Sequence, residues 1–354
     1  MKPLEYMARY NHEQLVYCYD KGVGLKAIIA IHDTTLGPSL GGIRMRPYAT
    51  EDEAVLDVLR LSRAMSYKAA VAGLPLGGGK AVIIGDPAKD KTEALFRSMG
   101  RYVDSLGGRY IATEDVGITV QDIEWVSQET EHAVGLPMAQ GGSGDSSPPT
   151  AFGVLQAMKA CAEEKLGSDS LKGRTIVIQG LGKVGYHLAH LLHEEGARII
   201  ATDVNPEFIE KAKKELGVIK VDPEGIYDVM GDIFSPCALG GVLNSKTIPR
   251  IKCPVICGCA NNQLLDEADA QRLERRGILY APDFVTNAGG IINLSFELTA
   301  YDPDAAREKL LAIRNTMKRV FQRAYEEKIT TAQAADRIAE ERIEAARRVR
   351  QIYL

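Results

Sequence analysis

The sequence has little of what marks membrane, secreted or nucleic-acid-binding proteins. Its 354 residues include one tryptophan and six cysteines, and the formal net charge is -4. Without an excess of basic residues the chain has no general attraction for phosphate backbones or anionic lipids, which argues against nucleic acid and membrane partners. No apolar run approaches the roughly 18 to 20 residues that span a bilayer, and residues 1–14 lack a signal-peptide core. We expect a cytoplasmic protein that acts on a small molecule.

The cysteines are too few for the disulfide framework of a small secreted protein, which favours reduced thiols. Only Cys253, Cys257 and Cys259 cluster, in the apolar segment CPVICGCA. That segment is typical of a buried strand. We therefore expect core thiols there and no metal site.

The first part of the chain shows helix and strand patterns with ionisable residues between them. Residues 50–72 predict a helix that begins at Thr50, with Glu53 at the spacing of a capping box. In GLPLGGGKAVIIGD, a glycine-rich turn leads into an apolar strand and places Lys80 at the strand end. The strand RYIAT finishes in Glu114 and Asp115.

The pattern changes after residues 138–150, which are rich in small residues and contain two prolines. Such a composition is typical of a crossing between domains rather than of a helix or strand. From residue 151 on, helix and strand patterns alternate, which favours a parallel sheet with helices on both faces. Two charged amphipathic helices are expected near residues 304–327 and 331–352.

Together these patterns predict a two-domain α/β protein with C-terminal helices. The N-terminal α/β domain would cover residues 1–146, and a Rossmann-type domain would cover residues 147–330. The last helix, about 331–354, is expected to pack back on the first domain.

A glycine motif, GLGKVG, follows the strand RTIVIQ and precedes an apolar helix. Gly180, Gly182 and Gly185 give the spacing at which backbone approaches a pyrophosphate at a helix N-terminus. Asp203 ends the next strand, where a carboxylate can bind ribose hydroxyls and repel a 2'-phosphate. The motif therefore predicts a dinucleotide site, with NAD favoured over NADP.

Seven distinctive sequence blocks lie along nearly the whole chain: GPSLGGIRMRPYAT, GLPLGGGKAVI, EDVG, GGSGDSSPPTAFGV, the dinucleotide turn, CANNQL and NAGGIIN. With these blocks the chain resembles the Glu/Leu/Phe/Val dehydrogenase family, and within it most closely the members that act on leucine. The resemblance implies a reversible, NAD-dependent oxidative deamination of an apolar L-amino acid to a 2-oxo acid and ammonia. It also implies that the first domain binds substrate and that the protein is a homo-oligomer, an octamer being one candidate form.

The same resemblance assigns roles to single residues. Lys80 and Asp115 match the catalytic lysine and aspartate, and Lys68 matches the lysine that binds the substrate carboxylate. The residues matched to the substrate site are Lys68, Gly41, Gly42, Leu40, Met65, Thr113, Asn262, Ile291 and Leu294. The residues matched to the cofactor site are Gly180, Leu181, Gly182, Lys183, Val184, Gly185, Asp203, Ser147, Thr150, Cys237, Ala238, Ala260 and Asn261.

Two positions depart from the leucine-specific pattern. Lys183 stands in the glycine turn where those members commonly carry Asn, and Thr113 stands where they commonly carry Ala. The first leaves the glycines intact, whereas the second touches the expected side-chain pocket.

The expected chemistry requires a general base at neutral pH, because water must attack the imine that hydride loss leaves. A lysine can serve only if desolvation or a neighbouring positive charge lowers its pKa. Lys80, with Lys68 nearby, would meet that condition, and Asp115 would relay protons.

Substrate choice is expected to depend on Leu40, because glutamate-specific members carry a lysine at that position. The Leu40 side chain cannot pair with the distal carboxylate of a glutamate substrate, which would be left buried and unpaired at a high cost in binding free energy. Ile291 and Leu294 would complete an apolar wall with Leu40 and Thr113. Leucine, isoleucine and valine should therefore be accepted, glutamate should be poor, and a phenyl ring should be crowded.

Three other readings remain open. A phenylalanine- or valine-preferring member of the family has the same motifs. A shikimate-like dehydrogenase also uses a Lys/Asp pair, although the glycine-lysine blocks argue against it. A non-catalytic NAD-binding sensor would leave Lys68, Lys80 and Asp115 without a role.

Overall fold

The computed structural model describes residues 2–351, with side chains up to residue 349. The chain divides into two compact units. Unit 1 consists of Met1–Asp145, Leu294–Asp302 and Ala339–Leu354. Unit 2 consists of Ser146–Asn293 and Pro303–Ile338. The functional names given above to the two domains stay predictions.

Unit 1 contains a five-stranded mixed sheet. Its strands are β1 (Gln14–Asp20), β2 (Leu25–Asp33), β3 (Ser39–Arg46), β4 (Gly77–Ile84) and β5 (Tyr110–Glu114). The order is β1-β2-β4-β3-β5; the first two pairings are antiparallel, and β3 runs parallel to both β4 and β5. The helices are α1 (Pro3–Tyr10), α2 (Glu51–Val71), α3 (Glu93–Asp104) and α4 (Val120–Ser127).

Both faces of this sheet are covered. Ile29 and Ile31 of β2 belong to a buried cluster with Phe96 of α3. The alternate residue Ile28 belongs to a second cluster, with Leu59 of α2. Because successive side chains of a strand point to opposite faces, β2 needs apolar residues at consecutive positions.

The predicted helix at residues 50–72 is confirmed as α2. The Thr50 side chain accepts a hydrogen bond from the Glu53 amide, as the capping spacing predicts. The Glu53 carboxylate does not complete the box, since it accepts hydrogen bonds from the Ala49 amide and the Arg46 guanidinium. The cap therefore also fastens the end of β3 to the start of α2.

The predicted glycine-rich turn before Lys80 is wrong, because Gly77, Gly78 and Gly79 already belong to β4. A Cβ on Gly78 would lie 2.0 Å from the Ser66 backbone nitrogen of α2. Here glycine is required by the close approach of a helix to a strand. Lys80 consequently lies inside the strand rather than at its end.

A buried histidine pair lies between the start of the chain and α2. His32 is hydrogen-bonded through Nδ1 to Ser66 Oγ (2.7 Å) and through Nε2 to the Tyr10 carbonyl (2.9 Å). The ring of His12 meets it edge-on, with centroids 4.6 Å apart. Burial and the neighbouring His12 lower the pKa of His32 to about 4. The folded protein therefore holds His32 neutral.

Acidification is expected to destabilise unit 1 through His32. The unfolded chain binds a proton near pH 6.5 but the folded chain only near pH 4, so stability falls as the pH drops through this window. Between pH 7 and pH 5 the loss should be about 2 kcal/mol. Urea unfolding at the two pH values should show a smaller loss in His32→Gln, whereas His190→Gln, on an exposed site, should behave like the parent. An equal loss in all three proteins would contradict the assignment.

Unit 2 is built on a six-stranded sheet whose paired strands all run parallel, which confirms the predicted Rossmann-like architecture. Its strands are β6 (Thr175–Gln179), β7 (Arg198–Thr202), β8 (Ile219–Lys220), β9 (Ile233–Pro236), β10 (Val255–Ile256) and β11 (Leu279–Tyr280), in the order β11-β10-β9-β6-β7-β8. Its first helices are α5 (Ser147–Leu166), α6 (Lys183–Glu194), α7 (Pro206–Leu216) and α8 (Ala268–Arg275). Further helices are α9 (Asp283–Thr286), α10 (Gly289–Ser295), whose last two residues belong to unit 1, and α11 (Pro303–Glu327).

The irregular crossing predicted for residues 138–150 ends earlier than expected. α5 begins at Ser147, so Pro148 and Pro149 lie in its first turn. Proline is tolerated there because the first amides of a helix have no partner within the helix. The two prolines therefore begin a helix instead of excluding one.

The two C-terminal helices are confirmed as α11 and α12 (Thr331–Gln351), and residues 352–354 lie outside the described part. Within unit 1, Arg342 of α12 donates hydrogen bonds to the carbonyls of Ala70 and Leu74, at the end of α2. Over the described residues, no helix is both long and apolar enough to cross a membrane.

Candidate active site

Lys80 lies in the middle of the unit 1 sheet, where β4 pairs with Ala30 of β2 on one side. Only 4% of Lys80 is exposed. Its Nζ lies 3.2 Å from Oδ2 of Asp115, the residue that directly follows β5. The fold thus brings together the two residues that the sequence predicted as catalytic.

Asp115 has a second cationic partner. Arg44 of β3 donates a hydrogen bond from Nε to Asp115 Oδ2 at 2.7 Å. The other end of the guanidinium reaches Asp57 Oδ2 on α2, at 3.3 Å from Nη1, and the Tyr48 hydroxyl donates to the same oxygen at 2.7 Å. The Asp115 carboxylate is therefore held between Lys80 and Arg44, and Asp57 in turn fixes the position of Arg44.

On balance, the electrostatics of this cluster shift the pKa of Lys80 downwards. Burial lowers the pKa of Lys80, and the Arg44 charge lowers it further, while Asp115 partly opposes both. Burial alone would raise the pKa of Asp115, but Lys80 and Arg44 outweigh it and bring that pKa to about 2. An ionised carboxylate beside an amine of lowered pKa can accept a proton from that amine and return it.

Four residues predicted for the substrate site lie on the strands around this cluster. Leu40, Gly41 and Gly42 of β3 pair in register with Ile111, Ala112 and Thr113 of β5. Leu40 is fully buried. The Thr113 hydroxyl is buried and has no hydrogen-bond partner among the described residues. A polar atom of this kind at the expected side-chain pocket marks Thr113 as a candidate for substrate selection.

The remaining predicted substrate residues are divided between the units. Met65 and Lys68 are half-buried on α2, and Leu294 belongs to unit 1. A Cβ added to Gly135 would lie 2.8 Å from Thr113 Oγ1 and 3.4 Å from Leu294 Cδ2, so these two side chains border the same point. Asn262 and Ile291 belong to unit 2, and the former has left-handed backbone, with φ of 52°.

The predicted dinucleotide turn is present between β6 and α6. Gly180 has φ of +103°, and a Cβ on Gly185 would lie 2.1 Å from the Gly180 carbonyl oxygen, so both positions need glycine. A Cβ on Gly182, by contrast, would meet nothing within 4 Å, and no side chain at this residue caps α6. The exposed amide end of α6 fits a diphosphate, with Leu181, Lys183 and Val184 supplying the surrounding backbone.

Asp203 directly follows β7 and contacts the same turn. Its Oδ2 accepts a hydrogen bond from the Leu181 amide at 2.6 Å, and its Oδ1 accepts one from Asn205 at 2.8 Å. The carboxylate is therefore oriented by the backbone before any ligand contacts it.

The other residues predicted for the cofactor site lie at the starts and ends of unit 2 elements. Ser147 and Thr150 begin α5, and Thr150 donates its hydroxyl hydrogen bond to Ser146 O at 2.7 Å. Cys237 and Ala238 follow β9, beside the glycine turn. Ala260 and Asn261 follow β10, and the Asn261 side chain accepts a hydrogen bond from Asn287.

The sequence reasoning missed Arg44 and its partners Asp57 and Tyr48. A signal was present in the segment IRMRPY, where arginines alternate along a strand that is otherwise buried. An arginine that is largely removed from water needs a neighbouring carboxylate, because an unpaired buried charge costs much free energy. The identity of that acid could not be predicted, because Asp115 is 71 residues away in the chain.

Comparison with known proteins identifies the family of the chain. The family model for the Glu/Leu/Phe/Val dehydrogenase dimerisation domain matches residues 12–132, and that for Glutamate/Leucine/Phenylalanine/Valine dehydrogenase matches residues 141–206 and 203–351. The chain is 53% identical to a leucine dehydrogenase of Thermoactinomyces intermedius, over 100% of this chain and 97% of that one. It is 48% identical to a phenylalanine dehydrogenase of Caldalkalibacillus thermarum, over 97% and 94%.

A solved structure gives the same result. The L-tryptophan dehydrogenase of Nostoc punctiforme superimposes with a TM-score of 0.83 at 44% identity, covering 97% of this chain and 99% of that one. The chain therefore belongs to the Glu/Leu/Phe/Val dehydrogenase family and is an amino-acid dehydrogenase that depends on a pyridine nucleotide.

Proposed function

We propose that the protein uses NAD to deaminate leucine and other branched-chain L-amino acids oxidatively, giving the 2-oxo acid and ammonia. The observation that carries the proposal is the buried amine of Lys80, 3.2 Å from the Asp115 carboxylate and with its pKa lowered by burial. A surface lysine would remain protonated and could not act as a base at neutral pH.

The residues of this chain divide the work as follows. Bound NAD would accept a hydride from the substrate Cα. Lys68 pairs with the substrate carboxylate. Lys80 takes a proton from the water that attacks the substrate imine, and Asp115 passes that proton on. Arg44 favours the ionised form of Asp115 between these transfers, because its positive charge stabilises the carboxylate.

The preference for leucine has two supports. Leu40 is apolar where a glutamate-binding residue would need a positive charge, and two leucine dehydrogenases are 53% and 52% identical to this chain. The phenylalanine dehydrogenases, at 48% to 50% identity, favour phenylalanine as the second candidate substrate.

Measuring kcat/KM for leucine, isoleucine, valine, phenylalanine and glutamate tests the proposal. One methylene in an apolar pocket changes binding by roughly 1 to 3 kcal/mol, so the three branched substrates should fall within about two orders of magnitude. Glutamate at or above leucine would overturn the pocket argument. Phenylalanine above leucine would overturn only the size of the pocket. If no amino acid in this set led to NADH formation, the result would contradict the proposed reaction and favour a non-catalytic NAD-binding sensor.

Cofactor choice is expected to depend on Asp203. In Asp203→Ser, the repulsion of a 2'-phosphate and the ribose hydrogen bonds are lost together, so activity with NADP should rise relative to NAD. The variant also removes an acceptor for the Leu181 amide, so both cofactors should bind less tightly. Asp222→Ser, at an exposed site of unit 2, is the matched control. An unchanged NADP/NAD ratio of kcat/KM in Asp203→Ser would contradict the assignment.

Assembly and location complete the proposal. The family model that matches residues 12–132 describes a dimerisation domain, which supports a homo-oligomer in which unit 1 makes the contacts. The octamer and the cytoplasmic location stay predictions, and mass measurement of the native protein in solution tests the former.

A further inference from the structure

The structure separates the clustered cysteines into different surroundings. Cys253 and Cys257 are buried, whereas Cys259 is partly exposed, as is Cys237, which the sequence analysis did not connect with the cluster. Cys253 donates a weak hydrogen bond to the Val229 carbonyl and Cys257 one to the Val154 carbonyl, both at 3.9 Å. These two thiols are core residues, as predicted.

Cys259 and Cys237 are neighbours on adjacent strand ends. The Cys257 amide bonds the Phe234 carbonyl, and the Ala260 amide bonds the Pro236 carbonyl, which brackets Cys259 beside the end of β9. The Cys259 thiol donates a weak hydrogen bond to the Cys237 carbonyl oxygen at 3.9 Å, and the two side chains are close enough to influence each other's pKa. Adjacent strands lie about 4.8 Å apart, which is within the Cα spacing that a disulfide bridges.

We propose that Cys237 and Cys259 form a reversible dithiol that peroxide oxidises to a disulfide, and that this disulfide weakens dinucleotide binding. Attack of one thiolate on hydrogen peroxide gives a sulfenic acid and releases water after proton uptake. The second thiol then displaces a second water and forms the S–S bond. The two sulfurs together lose two electrons, and the peroxide is reduced to two waters.

Cys237 is the expected attacking group. Its sulfur contacts the Ser235 hydroxyl at 3.3 Å, and the neighbouring Cys259 and Ser235 side chains lower the pKa of Cys237. Burial instead raises the pKa of Cys253 to about 12 and also raises that of Cys257, so these thiols should not react. The chain therefore has unreactive cysteines close by as internal controls.

The position of the pair connects oxidation to the cofactor. A Cβ on Gly185 would lie 3.3 Å from Cys237 Cβ, and one on Gly180 would lie 2.8 Å from Ala238 Cβ, so this segment packs against the glycine turn. A covalent bond to Cys259 would draw the segment toward β10 and change the surface that the diphosphate end of the site presents. This step rests on the cofactor site of the proposed function, whereas formation of the disulfide does not.

The test combines mass spectrometry with NADH binding. The whole protein is treated with hydrogen peroxide, and tryptic peptides are compared with and without thiol reductant. We expect one reducible link between the Cys237 peptide and the peptide that contains Cys259. The Kd for NADH, from cofactor fluorescence, should rise at least tenfold and return after reduction.

Two variants make the result specific. Cys259→Ser should form no link and keep its NADH affinity in peroxide, while Cys253→Ala should link and respond like the parent. Absence of the link in the parent, or a link that leaves the NADH Kd unchanged, would overturn the proposal. If the reduced parent protein binds no NADH, both the effect of the disulfide on dinucleotide binding and the proposed function are overturned. The linked peptide then still shows whether Cys237 and Cys259 form a disulfide.

Discussion

Replacing Lys80 by alanine is expected to lower kcat by about 10²- to 10⁴-fold, the range that positioned acid-base groups contribute. The amine is buried against Asp115, so no water-borne buffer can easily replace it. NADH binding should persist, because the glycine turn lies in unit 2 and Lys80 in unit 1. Steady-state kinetics with leucine and a fluorescence titration with NADH measure the two effects separately.

Lys91→Ala is the matched control for that substitution. Lys91 is also a poorly exposed lysine of unit 1, and it forms an ion pair with the buried Asp122. Its loss should lower stability without changing kcat of the folded enzyme. If Lys80→Ala kept more than about a tenth of the parent kcat, a general-base contribution of the usual size would be excluded.

Asp115→Asn is expected to reduce kcat by at least about 10²-fold and to move the pH dependence. The amide keeps the shape of the carboxylate but removes its negative charge, which is the largest of the effects that raise the pKa of Lys80. The rise of kcat/KM with pH should therefore shift to lower pH, and its plateau value should be lower than that of the parent. Removing one partner of a buried ion pair should also cost about 3 to 5 kcal/mol of stability.

A purely structural role of Asp115 would produce a different pattern. Asp122→Asn removes another buried carboxylate with a lysine partner, and it should lower the unfolding midpoint while leaving the pH profile in place. A pH profile of Asp115→Asn that coincides with the parent profile would show that the carboxylate does not act on Lys80.

Several elements of the fold were predictable because their determinants are local. Thr50 and Glu53 form a cap within four residues of each other, and the strand RYIAT carries its acidic end with it. The turn from Gly180 to Gly185 needs only the strand before it and the helix after it. For such features, neighbouring residues supply most of the interactions that decide the conformation.

The errors occurred where a distant segment decides the local structure. The prolines after Ser147 are an exception with a local cause, since they begin a helix where their missing amides cost nothing. Gly78, by contrast, is in a strand because α2 passes directly over it. The approach of Arg44 to Asp115 is of the same kind, since parallel pairing of β3 with β5 brings the two residues together.

The sequence alone thus determined the α/β class and the dinucleotide turn, because these depend on residue type, period and spacing, whereas the catalytic roles of Lys80 and Asp115 are predicted from the family resemblance. Only the tertiary structure decided the direction in which the pKa of Lys80 shifts, since that pKa depends on burial and on the opposing charges of Asp115 and Arg44. The contact between Cys237 and Cys259 likewise required the sheet. The sheet brings these two residues together although they are 22 residues apart in the chain. Free energies of burial and of charge interaction depend on distance in space, and sequence spacing fixes that distance only within a single helix, strand or turn.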